Sequence, residues 1–251
     1  TGEIVGEQQA ARRIQVVQRR RTAARLLVGV NVAVFLTMVL RGVSFFEPSV
    51  AALVHWGALD PQLFLAGQRW RLLSSAFVHI GVLHLALNMW CLWALAEWSE
   101  SLFGAGTTIA LYLLTALTGG VLSMEWMLLR GAGHVSAGAS GAIFGLAGAV
   151  VTSLRVGRHR IPLEVRRRIS NSALQFAVIN LVFGLLPNID NAAHLGGMVG
   201  GLALGACFGG TQSMLTQDDK PLARAIACLV FLLLLALLMR SLFPSQSGRW
   251  L

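Results

Sequence analysis

The sequence predicts an all-α polytopic membrane protein, a bundle of six transmembrane helices with a seventh at the carboxyl end. Three observations carry this. The 251 residues are 55 % apolar and only 12 % charged, against roughly a quarter charged in soluble domains. Uncharged runs recur at 26–40, 72–96, 101–124, 131–154, 169–189, 191–217 and 225–239, and a spanning helix needs about 20 mostly apolar residues. The arginines gather beside these runs, at 12–25 and 155–168.

Residues 1–25 form a polar, basic arm rather than a short charged head before an apolar stretch, so no cleavable leader is expected there. The first span, 26–40, is short but stays apolar past Arg41 as far as Phe46. An arginine at such a point snorkels to the interface. Residues 47–79 are too mixed to cross. With Trp56, Phe64, Leu65 and Trp70 they read as an amphipathic hairpin at the external interface, where Trp is favoured. The bundle occupies 26–209, its backbone polar groups satisfied within helices because lipid offers them no partner. A linker at 210–224, the seventh helix at 225–243 and a tail at 244–251 complete the chain. If 225–243 only lies on the surface, the count falls to six.

The net charge is +9. In a soluble chain that suggests nucleic acid, but arginines beside spans are a topology signal, since short cytoplasmic loops retain them. With seven spans the arm and the 155–168 loop share one side. That side is read as cytoplasmic and the carboxyl end as external, although Arg69 and Arg71 run against the bias. No nucleic-acid partner is expected. Cys91, Cys207 and Cys228 lie inside apolar runs without paired spacing, so neither a disulfide, a metal site nor a cofactor is expected.

Polar groups within spans cost free energy and need a reason. Four stand out: His84 and Asn88 in the second span, Ser140 in the fourth, and His194 at the start of the sixth. His84 and Asn88, four apart, share a helix face. Gly197 and Gly201 follow on the face of His194, and Ala147 on that of Ser140, so small residues let the two helices approach closely. A nucleophile and its general base must come within about 2.6–3.2 Å. Ser140 then serves as nucleophile and His194 as the base that returns the proton to the leaving amine. The Asn88 amide, the His84 imidazole and the Ser140 backbone N–H are candidate donors to an oxyanion. Gly138 and Gly141 leave the backbone room to bend.

Five segments together resemble the rhomboid family of intramembrane serine proteases. They are Arg69-Trp70-Arg71-Leu72, then His79-Ile80-Gly81-Val82-Leu83-His84-Leu85-Ala86-Leu87-Asn88, Glu100-Ser101-Leu102-Phe103-Gly104, Gly138-Ala139-Ser140-Gly141 and Ala193-His194. The match runs from Trp56 to about Gly209. The resemblance implies a six-helix catalytic core, a Ser140–His194 dyad without an acid, and His84 and Asn88 in the oxyanion site. It puts His79 in a supporting position nearby, stacks Phe144 on the catalytic histidine, and makes the fifth span with Phe176 a lateral gate. The seventh span is an addition found in some members. The expected partners are transmembrane protein substrates and the lipid bilayer, in a bacterial inner (plasma) membrane with the amino terminus cytoplasmic. The sequence leaves the substrate, the organism and the oligomeric state open.

Rival readings weigh less. A rhomboid-fold pseudoprotease lacks the Ser or the His. A transporter needs buried carboxylates at mid-membrane, and Glu125 beside Trp126 reads more simply as interfacial. There is no His-Glu-x-x-His zinc motif.

Overall fold

A computed structural model describes residues 21–131, 134–157, 161–185, 189–211 and 221–242. The expectations for the arm up to residue 20, the linker at 212–220 and the tail after 242 fall outside these. The helices are α1 (Thr22–Leu40), α2 (Val50–His55), α3 (Pro61–Leu65), α4 (Arg71–Ser74), α5 (Gly81–Phe103), α6 (Ala105–Arg130), α7 (Ser140–Val156), α8 (Leu163–Phe183), α9 (Asn191–Thr211) and α10 (Pro221–Leu242). An isolated antiparallel bridge pairs Leu59 with Ser136. The protein is an all-helical integral membrane protein. Among the described residues α1 and α6 are each long and apolar enough to cross a bilayer, and α4 with α5, bent by 93°, makes a third such span if taken as one.

The second span therefore starts at Gly81 rather than at 72. The preceding residues are uncharged, but Arg71 holds them to the hairpin. Its guanidinium is buried and donates to the carbonyls of Val54 (2.6 Å) and Ala58 (2.8 Å), while its Nε donates to Gln68 (2.8 Å). Ser74 donates to the Gly57 carbonyl at 2.7 Å. The hairpin is built of α2, α3 and α4 with a 3-10 helix at Ser75–Phe77. Trp70 is 55 % exposed, as an interfacial side chain should be, yet Phe64 is 1 % exposed, packed with Leu59 and Leu72 on Val121, Met124 and Met127 of α6.

At the far end α5 runs on through Glu97 and Glu100, charges that were expected to end it. Both are buried. The Glu100 carboxylate accepts from the first amides of α1, Thr22 N (3.0 Å) and Ala23 N (2.8 Å), the end of a helix where a negative charge is most stable. Gly104, at φ +84, then turns the chain directly into α6.

The main core joins α1, α5, α6, α7 and α9 through Phe35, Leu92, Leu111, Tyr112, Ile143, Leu146 and Phe208. Helix α9 wedges between α7 and α6 on glycines. Gly197, Gly201 and Gly205 face Gly141, Gly145 and Ala149, and a Cβ on any of the three would overlap a carbonyl of α7. Gly196 and Gly200 face Thr118 of α6 in the same way. Ala147 is fully buried in the main core, to which both α7 and α9 contribute.

Helix α8 packs on α7 and starts earlier than 169, with Arg166 donating to the carbonyls of Leu154 and Gly157. Helix α10 lies against the bundle along one stripe. Arg224 donates to the Phe103 carbonyl (3.2 Å), and Ala227, Cys228, Phe231, Leu235 and Met239 pack on the core. Leu229, Val230, Leu233 and Leu234 point away from the bundle.

Candidate active site

Ser140 was expected inside the fourth span; it is the first residue of α7. With 17 residues this helix is about 26 Å long at 1.5 Å per residue, shorter than the ~30 Å hydrocarbon core. A helix of this length that reached the far interface would begin below the near one and set Ser140 within the membrane. The chain arrives at it through a fixed segment. Leu59 and Ser136 exchange backbone hydrogen bonds of 2.8 and 2.9 Å, and Gly138 N donates to the Ser75 carbonyl at 2.9 Å. Gly138 has φ +131, and a Cβ there would meet the His84 ring at 2.6 Å, so the position needs glycine on two counts.

His194 lies in the first turn of α9. Its Nε2 is 2.9 Å from Ser140 Oγ. The Phe144 ring stacks on the imidazole, centroids 4.3 Å apart and planes 10° from parallel. Phe176 of α8 packs in turn on Phe144 at 5.6 Å. The histidine is 7 % exposed.

Two residues beside His194 were misjudged or missed. Asp190, four residues before His194, reads from the sequence as a water-solvated carboxylate in a short external loop. Its carboxylate is engaged: Oδ1 accepts from Ala193 N at 2.9 Å, capping α9, and Oδ2 accepts from Ser123 Oγ. It makes no hydrogen bond with the imidazole. Asn191 was not singled out, yet its Oδ1 is 3.3 Å from His194 Nδ1. Its place three residues before the histidine at a helix start was the available signal.

His84 and Asn88 share one face of α5. The His84 Nδ1 accepts from Ile80 N at 3.3 Å, which leaves the proton on Nε2, the side facing Gly138. Asn88 donates one amide hydrogen to the His84 carbonyl at 2.9 Å and keeps a second. His79, ahead of α5, is fully buried. Burial first, then the neighbouring His84, brings its imidazole down to about 3, against the pull of the Phe77 carbonyl. Neutral, it donates from Nδ1 to Phe77 O (3.3 Å) and accepts from Ala139 N (3.5 Å), steadying the residue before the serine. Gly141, Gly197 and Gly201 form the seam described above. His84 thus lies against the segment that leads to Ser140, Asn88 follows it one turn along α5, and Gly141, Gly197 and Gly201 line the seam.

Comparison with known proteins agrees in extent with this geometry. Residues 66–211, more than half of the chain, match the family model of the Rhomboid domain. The chain is 33 % identical over 189 residues to the Rhomboid protease GluP of Bacillus subtilis (strain 168), covering 75 % of this chain and 35 % of that protein. It is 39 % identical over 159 residues to RHOMBOID-like protein 5 of Arabidopsis thaliana, 63 % of this chain and 50 % of that one. To Rhomboid-like protease 2 of Toxoplasma gondii it is 28 % identical over 179 residues, 70 % of this chain and 62 % of that one. The chain thus spans about a third to under two thirds of the length of these relatives. With the family's domain matched across the helices that carry Ser140 and His194, the chain belongs to the rhomboid family.

Proposed function

We propose that the protein is an intramembrane serine endopeptidase that cuts transmembrane segments of other membrane proteins, with Ser140 as nucleophile and His194 as general base. The observation that carries this is the 2.9 Å contact between Ser140 Oγ and His194 Nε2, with the imidazole held flat under Phe144. In the first step Oγ attacks the scissile carbonyl carbon while Nε2 takes the hydroxyl proton. The tetrahedral oxyanion collapses, the C–N bond breaks, and the imidazolium gives its proton to the leaving amine. Water then attacks the acyl carbon as the same nitrogen takes its proton, and that proton passes to Oγ as the ester C–O bond breaks and the acid leaves. The reaction as drawn uses protein groups and water only.

The oxyanion receives three donors on this reading: the Ser140 N–H at the α7 start, which has no side-chain cap, the His84 Nε2–H and the free Asn88 amide hydrogen. One such donor is worth about 3–4 kcal/mol in the transition state. The helix N-terminus adds its positive end to the same point. Helix α8, whose Phe176 covers Phe144, is the side by which a substrate reaches the dyad. The chain crosses the membrane six times through α9 and a seventh time through α10, from a cytoplasmic basic arm, in a bacterial inner membrane. Purified full chain incubated with a labelled transmembrane substrate tests the reading. Wild type should cleave it and react with a fluorophosphonate; Ser140→Ala should do neither while keeping its fold. Cleavage by a clean Ser140→Ala preparation would end the assignment.

A further inference from the structure

We infer that Asn191 is the positioning residue for His194, and that through it the last turn of α8 sets the orientation of the base. The inference rests on the protease reading above. A general base whose Nε2 accepts the Ser140 proton carries its own proton on Nδ1, and that N–H needs an acceptor. The nearest carboxylate, Asp190, is already bonded to Ala193 N and Ser123 Oγ. The atom facing Nδ1 is Asn191 Oδ1 at 3.3 Å.

The amide can face the ring only with its oxygen, because its nitrogen is engaged elsewhere. Asn191 Nδ2 donates to the Leu181 carbonyl of α8 at 3.1 Å. Gly184, at the end of the same helix, lies so close that a Cβ there would overlap the Asn191 amide. Gly184 has φ −65, a conformation open to any residue, so what excludes a side chain there is the amide. One side chain therefore joins two elements, the α8 end through Nδ2 and the catalytic imidazole through Oδ1. A neutral acceptor suits this depth. It fixes the tautomer and the ring without the desolvation that a buried carboxylate would require, and an asparagine holds the same place in Cys–His–Asn proteases.

The test measures kcat, KM and fluorophosphonate labelling rate in wild type, Asn191→Ala, Asn191→Asp and Gly184→Ala, with thermal unfolding beside each. Asn191→Ala should lower kcat about ten- to a hundredfold, well short of the ~10⁴ of a lost triad aspartate, with KM within about twofold. Labelling should slow in proportion. Asn191→Asp keeps the acceptor oxygen and should recover most of the loss. Gly184→Ala leaves Asn191 in the sequence but displaces its amide, and should reproduce the loss. If Asn191→Ala does not fold, Gly184→Ala decides alone. Unchanged kcat and labelling in Gly184→Ala, or a loss in Asn191→Ala that Asp does not recover and that follows thermal stability, overturns the inference. A wild type that neither labels nor cleaves would instead sink the protease reading itself.

Discussion

At the scale of single residues, the medium made the site legible. A histidine, an asparagine and a serine in runs otherwise apolar are conspicuous, because lipid penalises each of them, and the glycine pairs beside them marked where helices meet. Asp190 and Asn191 escaped correct reading for the converse reason. At a helix start beside a loop, polar residues are ordinary, and nothing in composition distinguishes a cap from a solvated group or from a contact with the base. The distinction between Asp190 and Phe144 is testable. Asp190 caps α9 through Ala193 N, and asparagine caps a helix as well as aspartate does. Asp190→Asn should therefore keep activity within about threefold, roughly 0.7 kcal/mol in transition-state energy. Phe144→Ala removes the ring stacked at 4.3 Å on the imidazole and should lose considerably more. Both are to be measured on one substrate at one pH. A loss near 10⁴-fold for Asp190→Asn, the size seen when a triad acid is removed, would give the orienting role to the aspartate.

At the scale of elements, the uncharged runs located the helices but not their ends. The rule that charge ends a span failed wherever a charge had a buried partner. Glu100 stays in α5 because it caps α1, and Arg166 stays in α8 because carbonyls at the end of α7 accept from it. The converse failure is 72–77, uncharged yet held in the hairpin by Arg71. Close packing of α7 and α9, by contrast, followed from glycine spacing, since only small residues let backbones touch. This seam separates stability from catalysis. Gly197 faces Gly141 one turn below the dyad, whereas Gly205 faces Ala149, about 16 Å along α9 from His194 at 1.5 Å per residue. Alanine at either position forces the helices apart, and overpacking of this kind costs about 1–3 kcal/mol. Gly197→Ala and Gly205→Ala should lower thermal stability alike. Only Gly197→Ala should cut kcat by about a hundredfold, because a displacement near 1 Å at reacting groups has that cost. Equal effects of the two on kcat would show that the dyad does not depend on the upper seam.

At the scale of the whole molecule, the ends of the helices sort by charge. The Glu100 cap on Thr22 and Ala23 puts the start of α1 beside the end of α5, and Arg166 joins the end of α7 to the start of α8. The dyad sits at the opposite ends of α5 and α7, beside the hairpin. The segments 12–25 and 155–168 carry six arginines each, while the dyad side has four before α7, Arg41, Arg69, Arg71 and Arg130, besides Arg240 in the last turn of α10. Of these four, Arg71 is a buried hydrogen-bonding group that serves the hairpin, so its presence does not weigh against the charge bias. Cytoplasmic retention of Lys and Arg then predicts a dyad that faces the outside. In a background with Cys91, Cys207 and Cys228 replaced by Ala, single cysteines report the sides. Gln62→Cys on exposed hairpin surface should react with a membrane-impermeant maleimide in intact cells. Glu164→Cys, exposed at the start of α8, should react only after permeabilisation. Leu251→Cys should behave like Gln62→Cys if α10 crosses the membrane. Protection of Gln62→Cys together with labelling of Glu164→Cys would invert the orientation. The expected pattern at both, with Leu251→Cys protected, would keep it and reduce the spans to six, leaving α10 on the cytoplasmic side.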